Sequence, residues 1–301
     1  MKVRKGPDGL HLFDRLSGVN VLFDECKIGP ESWSPAPRQV SIALTNLCDL
    51  QCSYCYAPKS RAMLELPLIE RWLEELDVAG CLGVGFGGGE PTLHPAFADI
   101  CRFAAKNTKL AVTFTSHGHR LVPQLLEQLA GSVHFVRISV DGVDSTYQSL
   151  RGRSFQELKK RLKDIRQISP IGINVVVNKD TINDLDAVAE LAEEVEASEL
   201  LLLPQQATLT VSAIDTTVAG KLQQWVGNAR ANVRLAISEL GAYGMPTCNP
   251  LPLERGLRSY AHIDSTGRLR ASSYSTDGCA LGDQKVISVV DQLRAMMGEI
   301  N

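Results

Sequence analysis

The 301-residue chain has no apolar run long enough to cross a bilayer, and its charged start, Met1 to Asp8, leads into no apolar signal segment. Those absences point to a cytoplasmic protein with no membrane partner. Charge of one sign is lacking too: 31 Lys and Arg stand against 34 Asp and Glu, a net charge of −3, which is not the basic footprint of a nucleic-acid binder. There is no low-complexity segment, and no second C-x2-C pair accompanies the one that ends at Cys55. Eight cysteines remain, and in a reducing compartment they speak for metal ligation or catalysis more than for disulfides.

At 44% hydrophobic, the chain is long enough for one barrel-sized domain and a small appendage. Short apolar runs rich in β-branched residues, Gln39 to Leu44, Leu82 to Phe86, Leu110 to Thr115, Phe135 to Val140, Ile173 to Val177 and Leu200 to Leu203, read as six buried parallel strands. Helical spacing fills the intervals at Leu66 to Val78, His94 to Lys106, Val122 to Ala130, Phe155 to Ile168 and Leu185 to Val195, and continues at Lys221 to Leu240. The alternation predicts an α/β fold, a partial (β/α)6 TIM-like barrel; a doubly wound sheet would give much the same string. Either way, function belongs at the C-terminal ends of the strands.

Two flanks leave the alternation. Residues 1–37 contain a β-hairpin over Leu10 to Phe13 and Val19 to Phe23, expected as a lid over an open barrel edge, and a Pro-rich linker. Residues 38–240 form the barrel, and 241–301 a small C-terminal unit with a hairpin turning on Ser265-Thr266-Gly267 and a final helix over Val289 to Met297.

Directly after the first barrel strand stands Cys48-Asp49-Leu50-Gln51-Cys52-Ser53-Tyr54-Cys55. Three thiolates at C-x3-C-x2-C can wrap three irons of a cubane from one short loop. The fourth iron is then open to chelation by an amine and a carboxylate. Zinc is the competing reading, but a closed structural zinc site generally takes four ligands. Asp49, Gln51 and Ser53 make the loop polar, which disfavours three merely buried thiols.

With these motifs, the sequence resembles the radical S-adenosylmethionine (SAM) superfamily, over roughly residues 38 to 210. The resemblance implies a 4Fe-4S cluster on Cys48, Cys52 and Cys55, with aromatic Tyr54 before the last cysteine as part of the signature. Gly87-Gly88-Gly89-Glu90, after the second strand, is similar to the family's Gly-Gly-Glu motif, in which backbone and carboxylate bind the methionine amino group of SAM. Glycines permit close backbone approach and a carboxylate pairs with an ammonium. Thr115-Ser116-His117-Gly118 lies where relatives often carry Thr-Asn-Gly, so His117 is a departure. Ser139-Val140-Asp141-Gly142 resembles a Ser-x-Asp-Gly segment whose serine touches the cofactor, and Arg151-Gly152 an Arg-Gly pair whose arginine approaches the cofactor carboxylate. Read without the resemblance, Asp141-Gly142 is equally a turn and Arg151 equally a solvated residue. Tyr54, Gly88, Gly89, Glu90, Ser116, Ser139 and Arg151 are thus the implied cofactor-binding residues.

The C-terminal segment looks like a reduced SPASM or twitch extension, as found in peptide-modifying members. Ala271-Ser272-Ser273 occupies the place of a usual cysteine, leaving Cys248 and Cys279. Two thiolates do not complete a standard auxiliary Fe-S cluster; a third ligand would have to come from Cys26, Cys81, His262, Asp283 or substrate. Alternatively, Cys248 or Cys279 is a hydrogen donor to a substrate radical, or a buried structural thiol. Cys81 and Cys101 read as structural.

The function this implies is reductive cleavage of SAM to a 5'-deoxyadenosyl radical that modifies a ribosomal precursor peptide, by cross-linking, epimerisation or backbone excision. A separate leader-binding protein and an electron donor such as flavodoxin or ferredoxin are the expected partners. The alternative is a radical enzyme on a small molecule, in cofactor or antibiotic biosynthesis. A pure electron carrier is a third reading, and Glu90 speaks against it, since a carrier needs no ammonium-binding carboxylate.

Overall fold

The structure, a computed structural model, describes residues 1–208, 211–229 and 231–298. Three antiparallel strands, β1 (Lys2–Gly6), β2 (Gly9–Phe13) and β3 (Asn20–Phe23), open the chain as a small separate sheet.

A ten-stranded sheet follows. Its parallel strands are β4 (Gln39–Thr45), β5 (Gly83–Gly88), β6 (Ala111–Ser116), β7 (Phe135–Ser139), β8 (Ile171–Val177), β9 (Glu199–Pro204) and β10 (Leu235–Ile237). They lie side by side in chain order, as successive right-handed strand–helix units require. The C-terminal strands β11 (Tyr260–Ile263), β12 (Arg268–Arg270) and β13 (Cys279–Ala280) extend the same sheet, with β11 parallel to β4. The sheet order runs β10-β9-β8-β7-β6-β5-β4-β11-β12-β13, so β10 and β13 are free edges and the barrel is partial.

The helices are α1 (Leu66–Val78), α2 (Phe97–Asn107), α3 (Pro123–Leu129), α4 (Asp144–Arg151), α5 (Phe155–Arg166), α6 (Leu185–Glu194), α7 (Thr216–Asn228) and α8 (Val286–Met297). On α1 the buried Ile69, Trp72, Leu73 and Leu76 recur at helical spacing and meet a continuous core. Each such side chain contributes about 1.5–3 kcal/mol by leaving water. Along β5 the residues alternate: Val84 and Phe86 are buried, while Gly83, Gly85 and Gly87 fall on the opposite, inward face. A Cβ at Gly85 would stand 3.2 Å from Thr113 Oγ1, so the glycine row keeps the barrel interior open.

Three expectations change. The helix read over Lys221 to Leu240 ends at Asn228 and its second half contains β10, because Leu235–Ile237 finds a ladder partner in Leu200–Leu202. The N-terminal hairpin gains a third strand. It also covers the barrel floor rather than an open edge: the buried Arg4 ion-pairs with Glu254 and donates to the carbonyls of Ala36 (2.9 Å), Gly80 (3.1 Å) and Arg258 (2.9 Å), and Arg15 donates to those of Ala105, Thr108 and Leu110. These carbonyls lie at the ends where the strands begin, opposite the mouth that holds the site.

Candidate active site

The end of β5 passes so closely under the loop after β4 that only glycine fits. Gly88 has φ +121°, and a Cβ there would stand 2.2 Å from Thr45 O; one at Gly89 would stand 2.3 Å from Leu47 O. Gly89 N–H donates to Thr45 O and Glu90 N–H to Leu47 O, both at 2.7 Å. The cysteine loop and the Gly-Gly-Glu segment are thereby one rigid unit.

Glu90 is 1% exposed, and its carboxylate gathers the ends of two strands. Oε1 accepts from Ser116 Oγ at 2.9 Å and Thr92 Oγ1 at 2.6 Å, and Oε2 from the His117 backbone N–H at 3.0 Å. His117 Nε2 stands 2.9 Å from Asp49 Oδ1 and 3.3 Å from Glu90 Oε2. The ring's other nitrogen, Nδ1, accepts from the His119 backbone N–H at 3.1 Å. That bond leaves Nε2 as the ring's donor toward both carboxylates. Asp49 is also bridged by Arg153 (3.3 Å) and Arg120 (3.9 Å). Burial is the largest single influence and raises its carboxyl, but the His117 hydrogen bond and the neighbouring positive charges together hold it below the usual range.

A second buried carboxylate organises the next strand ends. Asp141 is fully buried; it ion-pairs with Arg151, accepts from Tyr54 OH at 2.5 Å and takes the Val176 backbone N–H at 2.7 Å. Arg151 is the last residue of α4, which Gly152 stops in the left-handed conformation at φ +63°. Burial disfavours its charge, yet the Asp141 carboxylate holds the guanidinium above its ordinary pKa. Arg151 Nη1 reaches Cys52 Sγ at 3.6 Å, and the Leu50 backbone N–H reaches Cys48 Sγ at 3.4 Å. Donors aimed at sulfur favour a thiolate and tune any metal it binds.

Cys48, Cys52 and Cys55 are all half-buried on this loop. The remaining cysteines sit elsewhere. Cys101 is in the core, and Cys81 donates to Gly83 O at 3.2 Å, with burial pushing its thiol up to about 11. Cys26 and Cys248 are exposed, and buried Cys279 lies 3.4 Å from the Met296 thioether.

Inside the barrel, half-buried Ser139 stands opposite Asn174 on the β7–β8 ladder. Asn174 is 6% exposed and its Oδ1 has no hydrogen-bond partner, an acceptor left over for a bound molecule. On the β11 side, Ser41 Oγ bonds both Tyr260 OH (2.5 Å) and His262 Nδ1 (2.6 Å). Tyr56, next to Cys55, stacks at 5.0 Å on Tyr274, which follows the Ala271-Ser272-Ser273 segment. Sequence reading passed over Asn174, Ser41 and Tyr260. The signal for Asn174 was a polar residue between Ile173 and Val175 in an apolar strand, whereas nothing local marks Ser41 as a partner of residues some 220 positions away.

The site fits an iron–sulfur cubane with SAM in its donor set and space: three sulfur donors with N–H groups behind them, a glycine cradle that a Cβ would fill, and an orphaned buried acceptor. Known proteins agree. The chain is 30% identical over 182 residues to the sporulation killing factor maturation protein SkfB of Bacillus subtilis, a stretch covering 58% of this chain and 43% of that protein. It is 27% identical over 171 residues to an AdoMet-dependent heme synthase of Methanosarcina barkeri, covering 54% and 49%. The matched stretch thus spans less than half the length of these curated relatives. Among solved structures, Streptococcus suis SuiB bound to S-adenosylmethionine superposes with a TM-score of 0.76 over 98% of this chain and 89% of that one at 15% identity. SuiB bound to its precursor peptide SuiA gives 0.73 over 89% and 68% at 19% identity. At such identities the likeness establishes the fold, the partial barrel with its C-terminal extension. The model of the Radical SAM superfamily matches residues 42–192, half of the chain and the part that carries both the cysteine loop and Glu90, and the chain therefore belongs to that superfamily, whose cofactors are a 4Fe-4S cluster and SAM.

Proposed function

We propose that the chain modifies a ribosomally made precursor peptide by radical chemistry. The carrying observation is the rigid junction of Cys48, Cys52 and Cys55 with the buried Glu90 carboxylate across the Gly88-Gly89 crossing. The three thiolates would hold the cluster, and Glu90 with the backbone at Gly88 and Gly89 would take the SAM ammonium. Arg151, Ser116, Ser139 and Tyr54 would border the rest of the cofactor. When bound, the reduced cluster supplies the electron that cleaves SAM to methionine and a 5'-deoxyadenosyl radical.

The protein's own residues then bind, orient and exclude water. Asp141 holds Arg151 and Tyr54 in place, and His117 orients Glu90 and Asp49. The glycine row of β5 leaves room for a substrate side chain, with Ser41 beside Gly85 on the adjacent strand and Tyr260 and His262 on the strand after it. SkfB and SuiB with SuiA favour a peptide as that substrate. Cross-linking, epimerisation and backbone excision are the candidate outcomes, with Cys248 and Cys279 as hydrogen donors or auxiliary-cluster ligands. A separate leader-binding protein and a flavodoxin- or ferredoxin-type donor complete the scheme, over the division 1–37, 38–240 and 241–301. The heme synthase relative supports the second reading, a small-molecule substrate.

The test is turnover of the anaerobically reconstituted, reduced enzyme. It should convert SAM to 5'-deoxyadenosine, and a deuterated cognate peptide should pass deuterium into that product. No 5'-deoxyadenosine from a preparation with an intact cluster would overturn the enzyme reading; a label that transfers only from a small molecule would select the second.

A further inference from the structure

On β7, Val136 and Ile138 are buried in the core, while Phe135, Arg137 and Ser139 alternate with them on the inward face and are half-buried. An arginine therefore stands inside the barrel, and the ladder fixes its height. Arg137 pairs with Thr115 on one side and Gly172 on the other, two residues, about 7 Å, deeper than Ser139. Ser139 is a position proposed to border the cofactor at the mouth, so Arg137 lies one layer beneath it. Two strands away, Gly85 and Gly87 put no side chain into the same space.

The guanidinium is held as a fixed cation. Its central carbon lies 4.8 Å from the centroid of the Phe135 ring, and Nη2 donates to Glu199 Oε1 at 2.8 Å. Gly172 makes room for that ring: a Cβ there would come within 2.8 Å of it. The buried Glu199 is shared, since its other oxygen takes Arg234. Two guanidiniums thus meet one carboxylate, a surplus of one positive charge. Arg234 is 72% exposed, whereas Arg137 is 26% exposed on the inward face. Among the described residues, the bond to Glu199 is the one hydrogen bond that Arg137 makes, so most of its five donors are idle, and Nε is buried without a partner. A planar fork with idle donors matches a carboxylate, with two parallel bonds.

We propose that Arg137 is the specificity residue of the barrel interior and binds a carboxylate of the substrate, either an acidic side chain or the C-terminus of the peptide. Glu199 and Phe135 are its positioning residues. The bound carboxylate anchors the substrate one layer under the cofactor. This rests on the proposed function, and the experiment separates the two.

Oxidised, cluster-loaded holoenzyme with SAM is titrated calorimetrically with four probes: the blocked peptide acetyl-Gly-Gly-Glu-Gly-Gly-amide, its Gln counterpart, acetyl-pentaglycine with a free C-terminus, and glutarate. Wild type should bind the Glu peptide or the free-carboxylate peptide at least about tenfold more tightly than the Gln peptide, as an added charge-assisted fork requires. The tighter of the two names the source of the carboxylate; glutarate bound as tightly as either would give the site to a small carboxylate substrate, the second reading. Arg137→Gln should lose the preference while its affinity for SAM stays within about twofold, and Arg137→Lys, a point charge without the fork, should show an intermediate preference. An arginine that only straps β7 to β9 would cost thermal stability on replacement and leave the preference in place. Equal binding of the Glu and Gln peptides by wild type, no measurable binding of any carboxylate probe, or a preference kept in Arg137→Gln would each overturn the carboxylate site. No 5'-deoxyadenosine from wild type with SAM and dithionite would overturn the proposed function instead, because the titrations are read at equilibrium and need no turnover.

Discussion

Glu90 and His117 meet twice: the His117 backbone N–H donates to Glu90 Oε2 at 3.0 Å, and its ring Nε2 stands 3.3 Å from the same oxygen. In the proposed role, Glu90 would offer a SAM ammonium a carboxylate already oriented by Ser116, Thr92 and the His117 backbone, with the His117 ring anchored to Asp49. Such pre-orientation limits the ordering cost of binding.

Glu90→Gln keeps the shape but sets an amide donor or a neutral acceptor against Ser116, Thr92 and His117. A lost charge-assisted hydrogen bond is worth about 2 kcal/mol, which predicts SAM affinity reduced about 30-fold. Iron content should not change. Equilibrium binding of SAM and iron analysis on the same preparation check this; wild-type affinity would rule Glu90 out as the ammonium partner.

Asp141→Asn leaves Arg151 buried without its counter-charge and weakens the bond to Tyr54. Breaking a buried pair at one end costs about 3–5 kcal/mol. Urea unfolding of the cluster-free chain should show that loss. A change below about 0.5 kcal/mol would mean that water already reaches the pair.

Replacing Cys48, Cys52 and Cys55 together with alanine should abolish 5'-deoxyadenosine formation and the SAM-responsive electron paramagnetic resonance signal. Residual iron with a cluster spectrum would place an auxiliary cluster at Cys248 and Cys279. Complete loss of iron favours their reading as free thiols.

His262 titrates on the strand beside the cysteine strand. Burial, aided by Arg270 and opposed by Asp264, pushes its pKa from 6.5 down to about 4. The unfolded chain therefore binds a proton below about pH 6.5 that the folded chain refuses until about pH 4, so stability falls as pH drops through that window. Between about pH 7.5 and 5.5 the loss is about 1 kcal/mol. Urea unfolding of wild type and His262→Asn at both pH values should show that increment in wild type alone; equal pH dependence would mean that His262 is solvated.

Spacing and periodicity alone determined the part of this protein that is local in the chain. The C-x3-C-x2-C loop, the glycines before Glu90 and the six strands that place them at one end are legible because a strand's apolar run and a loop's ligand spacing lie within about ten residues. Only the tertiary structure decided the rest. Leu235–Ile237 is a strand because β9 offers it a ladder. Asp141 is a buried anchor because Arg151, Tyr54 and Val176 converge on it. The N-terminal sheet seals the floor because Arg4 finds Glu254, 250 positions on. His117 is a donor because the His119 N–H claims its other nitrogen, and its targets Asp49 and Glu90 lie 68 and 27 residues away. Such bonds depend on strand register and on exclusion of water, and both arise only when the whole sheet has formed.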